Sequence, residues 1–138
     1  MGRRFICFGM AFLLAFPGAA RAEGVLSRGR FVQLLWQRAG SVPFAVSDTF
    51  SDVDRDSPWA EAVAWAEDRG LILGDGQGHF FPEEPLTHAH LELVLSRYDA
   101  VWDRPGGQYL PGAWPGDPVA EGDGERAVEQ FYREGAGG

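Results

Sequence analysis

The sequence predicts an all-α fold, and three features predict it. Three stretches carry apolar residues at helical spacing behind a capping residue. Glycine and proline punctuate the segments between them. The start of the first helix is echoed sixty positions later, where Leu26-Ser27-Arg28 returns as Leu86-Thr87-His88.

The first helix is expected over 28–39. Ser27 is placed to cap it and Gly40 to stop it. Phe31, Leu34 and Leu35 share one face, widened by Val32 and Trp36. The second is expected over 58–69, with Pro58 in its first position and Gly70 at its end. Trp59, Ala62, Val63 and Ala66 follow the i, i+3, i+4, i+7 rule, and Trp65 is assigned to the core. The third is expected over 88–102 behind Thr87. Leu91, Val94, Leu95, Tyr98, Val101 and Trp102 make the longest stripe in the chain. Between the last two lies an apolar triplet, a Gly74-Asp75-Gly76-Gln77-Gly78 turn and His79-Phe80-Phe81-Pro82. That pattern suggests a tiny hairpin whose phenylalanines fold back onto the helices.

Residues 1–22 read as a signal peptide. Arg3 and Arg4 precede an apolar run over 5–16, and Ala20-Arg21-Ala22 offers a small-residue cleavage site. The run is too short for a membrane anchor, which needs roughly 20 apolar residues. Cleavage would remove Cys7, the one cysteine, and with it any disulfide or thiol chemistry. It would also remove three arginines and no acid, making a chain of net charge −8 more negative still. Such a chain repels phosphate backbones and anionic lipid, so neither nucleic acid nor membrane is expected as a partner of the mature protein. There is no lysine, and every fixed cation is an arginine. Over 104–124 the composition turns to proline and glycine with few aliphatics, which reads as a linker. A short helix over 125–133 is expected to expose Val128, Phe131 and Tyr132, and the final Gly-Ala-Gly-Gly to be disordered.

Several anchors occur in a fixed order. They are Phe50-Ser51-Asp52-Val53, Trp59-Ala60, Ala62-Val63-Ala64-Trp65-Ala66, Gly70-Leu71-Ile72, Gly74 through Phe80, Pro82 and Pro85-Leu86-Thr87. Together they resemble an S-layer homology repeat, from about 49 to 102. Residues 25–40 resemble the closing helix of a preceding repeat. The resemblance implies helix-loop-helix repeats with a short Gly-rich turn, here about one and a half in number and so an incomplete three-repeat bundle. The expected division is signal peptide 1–22, partial repeat and linker 23–47, complete repeat 48–103, and Pro/Gly-rich linker with a short tail 104–138.

The resemblance also implies an exported, non-enzymatic module at the cell wall or surface layer. It binds secondary cell-wall polysaccharide, often through a pyruvylated sugar, and needs no cofactor. In the family a Thr-Arg-Ala-Glu motif opens the closing helix, its arginine meeting the ligand's charge and its acid completing a capping box. This chain departs twice. Ser27-Arg28-Gly29-Arg30 keeps the arginine without the acid, and Thr87-His88-Ala89-His90 has neither. Arg28 is charged at any relevant pH, whereas a histidine of ordinary pKa, about 6.5, is mostly neutral at pH 7. The ligand-binding set expected on this basis is Ser27, Arg28, Asp52, Trp59, Gly76, Thr87 and His88. The cleft should lie between the helix start at Arg28 and the loops of the following repeat.

Other readings compete. Asp52, Asp54 and Asp56 alternate as in a calcium loop, but the sixth and twelfth positions are Ser57 and Val63. His79, His88 and His90 lack the spacing for zinc. The Gly74-Gly76-Gly78 loop lacks a phosphate-binding lysine. No metal site and no catalytic constellation is therefore expected. Two alternatives to glycan binding remain. One is a self-associating or adaptor fragment that docks on other surface-layer proteins through apolar faces left bare by missing repeats. The other is a degenerate piece of a longer anchored enzyme or surface protein.

Overall fold

The computed structural model describes residues 24–103 and 108–137. The expected signal peptide and Cys7 lie outside them. Among the described residues four helices follow in order: α1 (Arg28–Arg38), α2 (Ala60–Asp68), α3 (His88–Val101) and α4 (Glu121–Gly137). No strand forms among the described residues, so the all-α expectation holds. No helix among them is long and apolar enough to cross a membrane.

The caps act as the sequence suggests. The Ser27 hydroxyl accepts from Arg30 N–H at 3.1 Å, and the Thr87 hydroxyl accepts from His90 N–H at 3.2 Å. Gly40 and Gly70 sit at φ of +106° and +73°, just past α1 and α2. Each closes a Schellman turn. Ser41 N–H reaches Trp36 O at 3.0 Å, and Leu71 N–H reaches Ala66 O at 2.9 Å. Helix α2 starts later than expected. Pro58 and Trp59 belong to a turn closed by Ala60 N–H on Ser57 O, and Trp59 caps the helix without a side-chain bond.

Three short segments meet at the centre. Leu26 N–H donates to Val119 O, Leu86 N–H to Leu26 O and Val119 N–H to Leu86 O, each at 2.8 Å. The three bonds close a ring, and all three side chains are fully buried. Isolated bridges join Val25 to Ala120, Ser27 to Pro85 and Thr87 to Pro118. Each segment then opens a helix. The N–H groups of Arg28, His88 and Glu121 donate in turn to Glu84 O, Asp117 O and Gly24 O, at 2.9, 3.0 and 2.8 Å. The arrangement is an approximate threefold, and it makes Arg28, His88 and Glu121 equivalent.

The segment expected as linker and tail therefore supplies a third closing helix. Helix α4 runs to Gly137 and so takes in Gly135 and Gly137 of the tail expected to be disordered, while Gly138 lies outside the described residues. Val128 and Phe131 are buried rather than exposed, and Tyr132 is half-buried. Phe131 lies within 5.0–5.5 Å, centroid to centroid, of Tyr98, Trp102, Tyr109 and Tyr132. Acids at Glu121 and Asp123 suit the positive end of the helix dipole. Gly124 is required by closeness, since a Cβ there would run into the Leu26 side chain.

The expected hairpin is a turn without strands. Asp75 organises it by accepting from the N–H groups of Gln77 and His79 at 2.7 and 3.0 Å. Only one of its two phenylalanines folds inward. Phe80 is fully buried against Phe50, whereas Phe81, at φ +60°, stays exposed.

Candidate functional site

The threefold creates a cleft where one repeat's helix start meets the next repeat's loop. The first cleft, about 240 Å³, is lined by Arg28 and Thr87 with Gly74, Asp75, Phe81, Glu84 and Pro85. The second, of similar volume, lies beside His88 and is walled by Glu92, Leu110, Pro111, Ala113 and Pro115.

Arg28 is held from three sides. Its Nε–H donates to Phe80 O at 3.0 Å, its Nη1 lies 2.6 Å from His90 Nδ1, and its guanidinium sits 5.0 Å from the Phe80 ring centroid. A guanidinium carries five N–H donors, so three remain for a ligand. Among the described residues no carboxylate oxygen lies within 4 Å of it. Burial pushes its pKa below the ordinary value, while the more distant charges of Glu84 and Asp52 oppose that. The guanidinium still keeps its proton. The amides at the start of α1 are already engaged by Glu84 O, Pro82 O and the Ser27 hydroxyl. The cleft's pull on an anion therefore comes from the side chain, not from free backbone groups.

The His90 ring must accept at Nδ1, because arginine only donates. Its pKa is pushed down to about 4, by burial first and then by the charges of Arg28 and Arg97. In the unfolded chain a histidine titrates near 6.5. Between those values the unfolded chain binds the extra proton, so stability falls as pH falls and the loss is complete below the folded value. The expected loss is about 2 kcal/mol, discounted for the part of the ring that water reaches. Urea denaturation at pH 7 and pH 4 measures it. A His90→Gln protein should lack this part of the slope.

Against known families, residues 49–91 match the model of the S-layer homology domain. This stretch is similar to an S-layer homology domain. No curated protein and no solved structure matches the chain. Such a match is consistent with a cell-surface anchoring module.

The fold brings some of the expected site residues together and not others. Arg28 and Thr87 both line the first cleft. Ser27 caps α1 beside it. His88 lines the second cleft, its Nδ1 3.0 Å from Asp117 O. Asp52 stands behind the first cleft. Its carboxylate accepts from Phe80 N–H at 2.9 Å and Phe81 N–H at 2.7 Å, which fixes the loop that carries both rings. Trp59 is outside the cleft lining. Its indole packs against α1, so close that a Cβ on Gly29 would lie 2.7 Å from it. Gly76 is also outside, at the open tip of the turn with φ +82°. Asp54 accepts from Asp56 N–H at 3.0 Å within its own loop. No cluster of three metal-ligating side chains occurs among the described residues.

Sequence reasoning missed His90, Phe81, Glu84 and Asp75. The signal for His90 was present, since it occupies the position of the family's capping acid. Phe81 was assigned to the interior because apolar residues usually go there.

Proposed function

We propose that this protein is an exported, non-enzymatic module that holds an anionic secondary cell-wall polysaccharide at the cell surface, in the cleft beside Arg28. The observation that carries the reading is the half-buried guanidinium. It is fixed in orientation and, among the described residues, has no carboxylate within ion-pair distance, in a chain of net charge −8. A net-negative molecule repels a polyanion at long range. Capture then needs a local, preoriented cation, and an arginine offers a carboxylate two parallel N–H groups. Phe81, exposed on the wall of the same cleft, gives a sugar ring an apolar face to lie on.

Self-association through apolar faces is the rival reading. Glycan binding is favoured over it because helix α4 buries Val128 and Phe131 in the core, which leaves less apolar surface than one and a half repeats would.

The test is binding of the purified protein to native wall polysaccharide and to the same polymer stripped of its pyruvyl groups. Binding should drop at least tenfold on stripping, and the native interaction should weaken as salt rises from 50 to 300 mM. Equal affinity for the two polymers would remove the anionic group from the recognition.

A further inference from the structure

The approximate threefold gives three equivalent junctions. At two of them the first residue of one closing helix meets the third residue of another, Arg28 with His90 and Glu121 with Arg30. The corresponding positions at the remaining junction are His88 and Asp123. Between Glu121 and Arg30 the charges meet directly, with Arg30 Nε 3.8 Å from the Glu121 carboxylate. At the remaining junction, Asp123 is taken by Arg126 of its own helix, and His88 turns to Asp117 O. Only between Arg28 and His90 does a guanidinium face an uncharged acceptor.

We infer that His90 is a positioning residue for Arg28: as a neutral ring from the following repeat, it fixes the guanidinium without cancelling its charge. This rests on the reading of the cleft as an anion site and assigns part of its selectivity to one side chain. The charged groups that face the ring are Arg28 and Arg97, both cationic. An acid at position 90 has two choices there, and both favour folding. It can pair with Arg28 at the distance the imidazole now keeps. It can also reach back to the amide of Thr87 and complete a capping box. The first choice takes the donors and the charge that a ligand needs.

A histidine at this position therefore trades some stability of the α3 start for an open cation. A purely structural role predicts that stability and binding move together, whereas this role predicts that they separate. Glu84, on the rim of the same cleft, is exposed and lies beyond ion-pair distance, so it does not substitute for an acid at 90.

The experiment compares the wild-type mature chain with His90→Glu and His90→Gln. Acetate serves as the carboxylate, titrated while the Arg28 Nε–Hε resonance is followed by NMR, and thermal unfolding is measured alongside. His90→Glu should unfold at a temperature at least as high as wild type while its acetate response at Arg28 weakens at least tenfold. His90→Gln, a neutral acceptor, should stay within threefold of wild type. Undiminished acetate response in His90→Glu overturns the inference. So does loss of the response in a folded His90→Gln. Should wild type respond to acetate and still not bind wall polysaccharide, the glycan reading fails and the role of His90 stands. If His90→Glu does not fold, the claim that an acid suits this position is wrong and the inference falls with it.

Discussion

Replacing Phe131 with alanine is expected to destabilise the protein by about 3–5 kcal/mol, the usual range for a buried aromatic truncated in a core. That is a large part of the roughly 5–15 kcal/mol available to a single domain. The residue lies in the segment whose composition reads as linker and tail, where a substitution changes stability by less than about 0.5 kcal/mol. The two accounts thus differ by several-fold on one mutation. The reason for the large value is geometric. Phe131 is fully buried and touches Tyr98 and Trp102 of the α3 end, Tyr109 of the preceding loop and Tyr132 of its own helix. Tyr132 in turn donates its hydroxyl to Leu35 O at 2.7 Å, fastening α4 to α1. Urea denaturation followed by tryptophan fluorescence checks the prediction. A midpoint within error of wild type would mean that α4 is not part of the cooperative unit.

Much of the fold was legible because local rules and tertiary packing agree in it. Ser27 and Thr87 announce helix starts, Gly40 and Gly70 announce ends, and most of the stripes on α1, α2 and α3 are buried, whereas Val101 and Trp102 at the end of the α3 stripe are exposed. Helix α4 was obscured because its start breaks the same rules. Ala120 has no hydroxyl where Ser27 and Thr87 have one, and Gly122 and Gly124 weaken the first turn by about 1 kcal/mol each relative to alanine. Tertiary contact supplies what propensity lacks: the Leu26 side chain leaves room for no Cβ at Gly124. The third member of the repeat is therefore readable only from the ring of bonds that Leu26, Leu86 and Val119 share.

The site was legible in part, for a related reason. Arg28 stood out as a cation at a motif position. Its environment did not, because His90 comes from a helix sixty-two positions on and Phe80 from a loop fifty-two positions on. Trp59 was expected in the binding set. It is half-buried, but in the slot left by the absent side chain of Gly29 rather than in the lining of the cleft. Gly76 follows the demands of the turn rather than those of a ligand. The Asp52 carboxylate serves the loop amides, which positions Phe81 without touching the cleft.

The second large effect belongs to Arg28 itself, and it bears on the central claim. The account holds that one oriented guanidinium supplies the attraction between an acidic protein and an acidic glycan. A buried or half-buried charged hydrogen bond to a ligand is worth about 2–5 kcal/mol when one partner is truncated, which corresponds to a loss of thirtyfold or more in affinity. The fold should tolerate the change, because the side chain's protein contacts are one carbonyl, one imidazole and one ring face. Arg28→Lys should recover little, since an ammonium cannot donate two parallel bonds to one carboxylate while holding Phe80 O. The decisive measurement is co-sedimentation of folded Arg28→Ala protein with purified cell walls at 100 mM salt and pH 7. The account predicts that the protein stays in the supernatant under conditions that pellet wild type. Pelleting equal to wild type, with an unchanged unfolding midpoint, would contradict it.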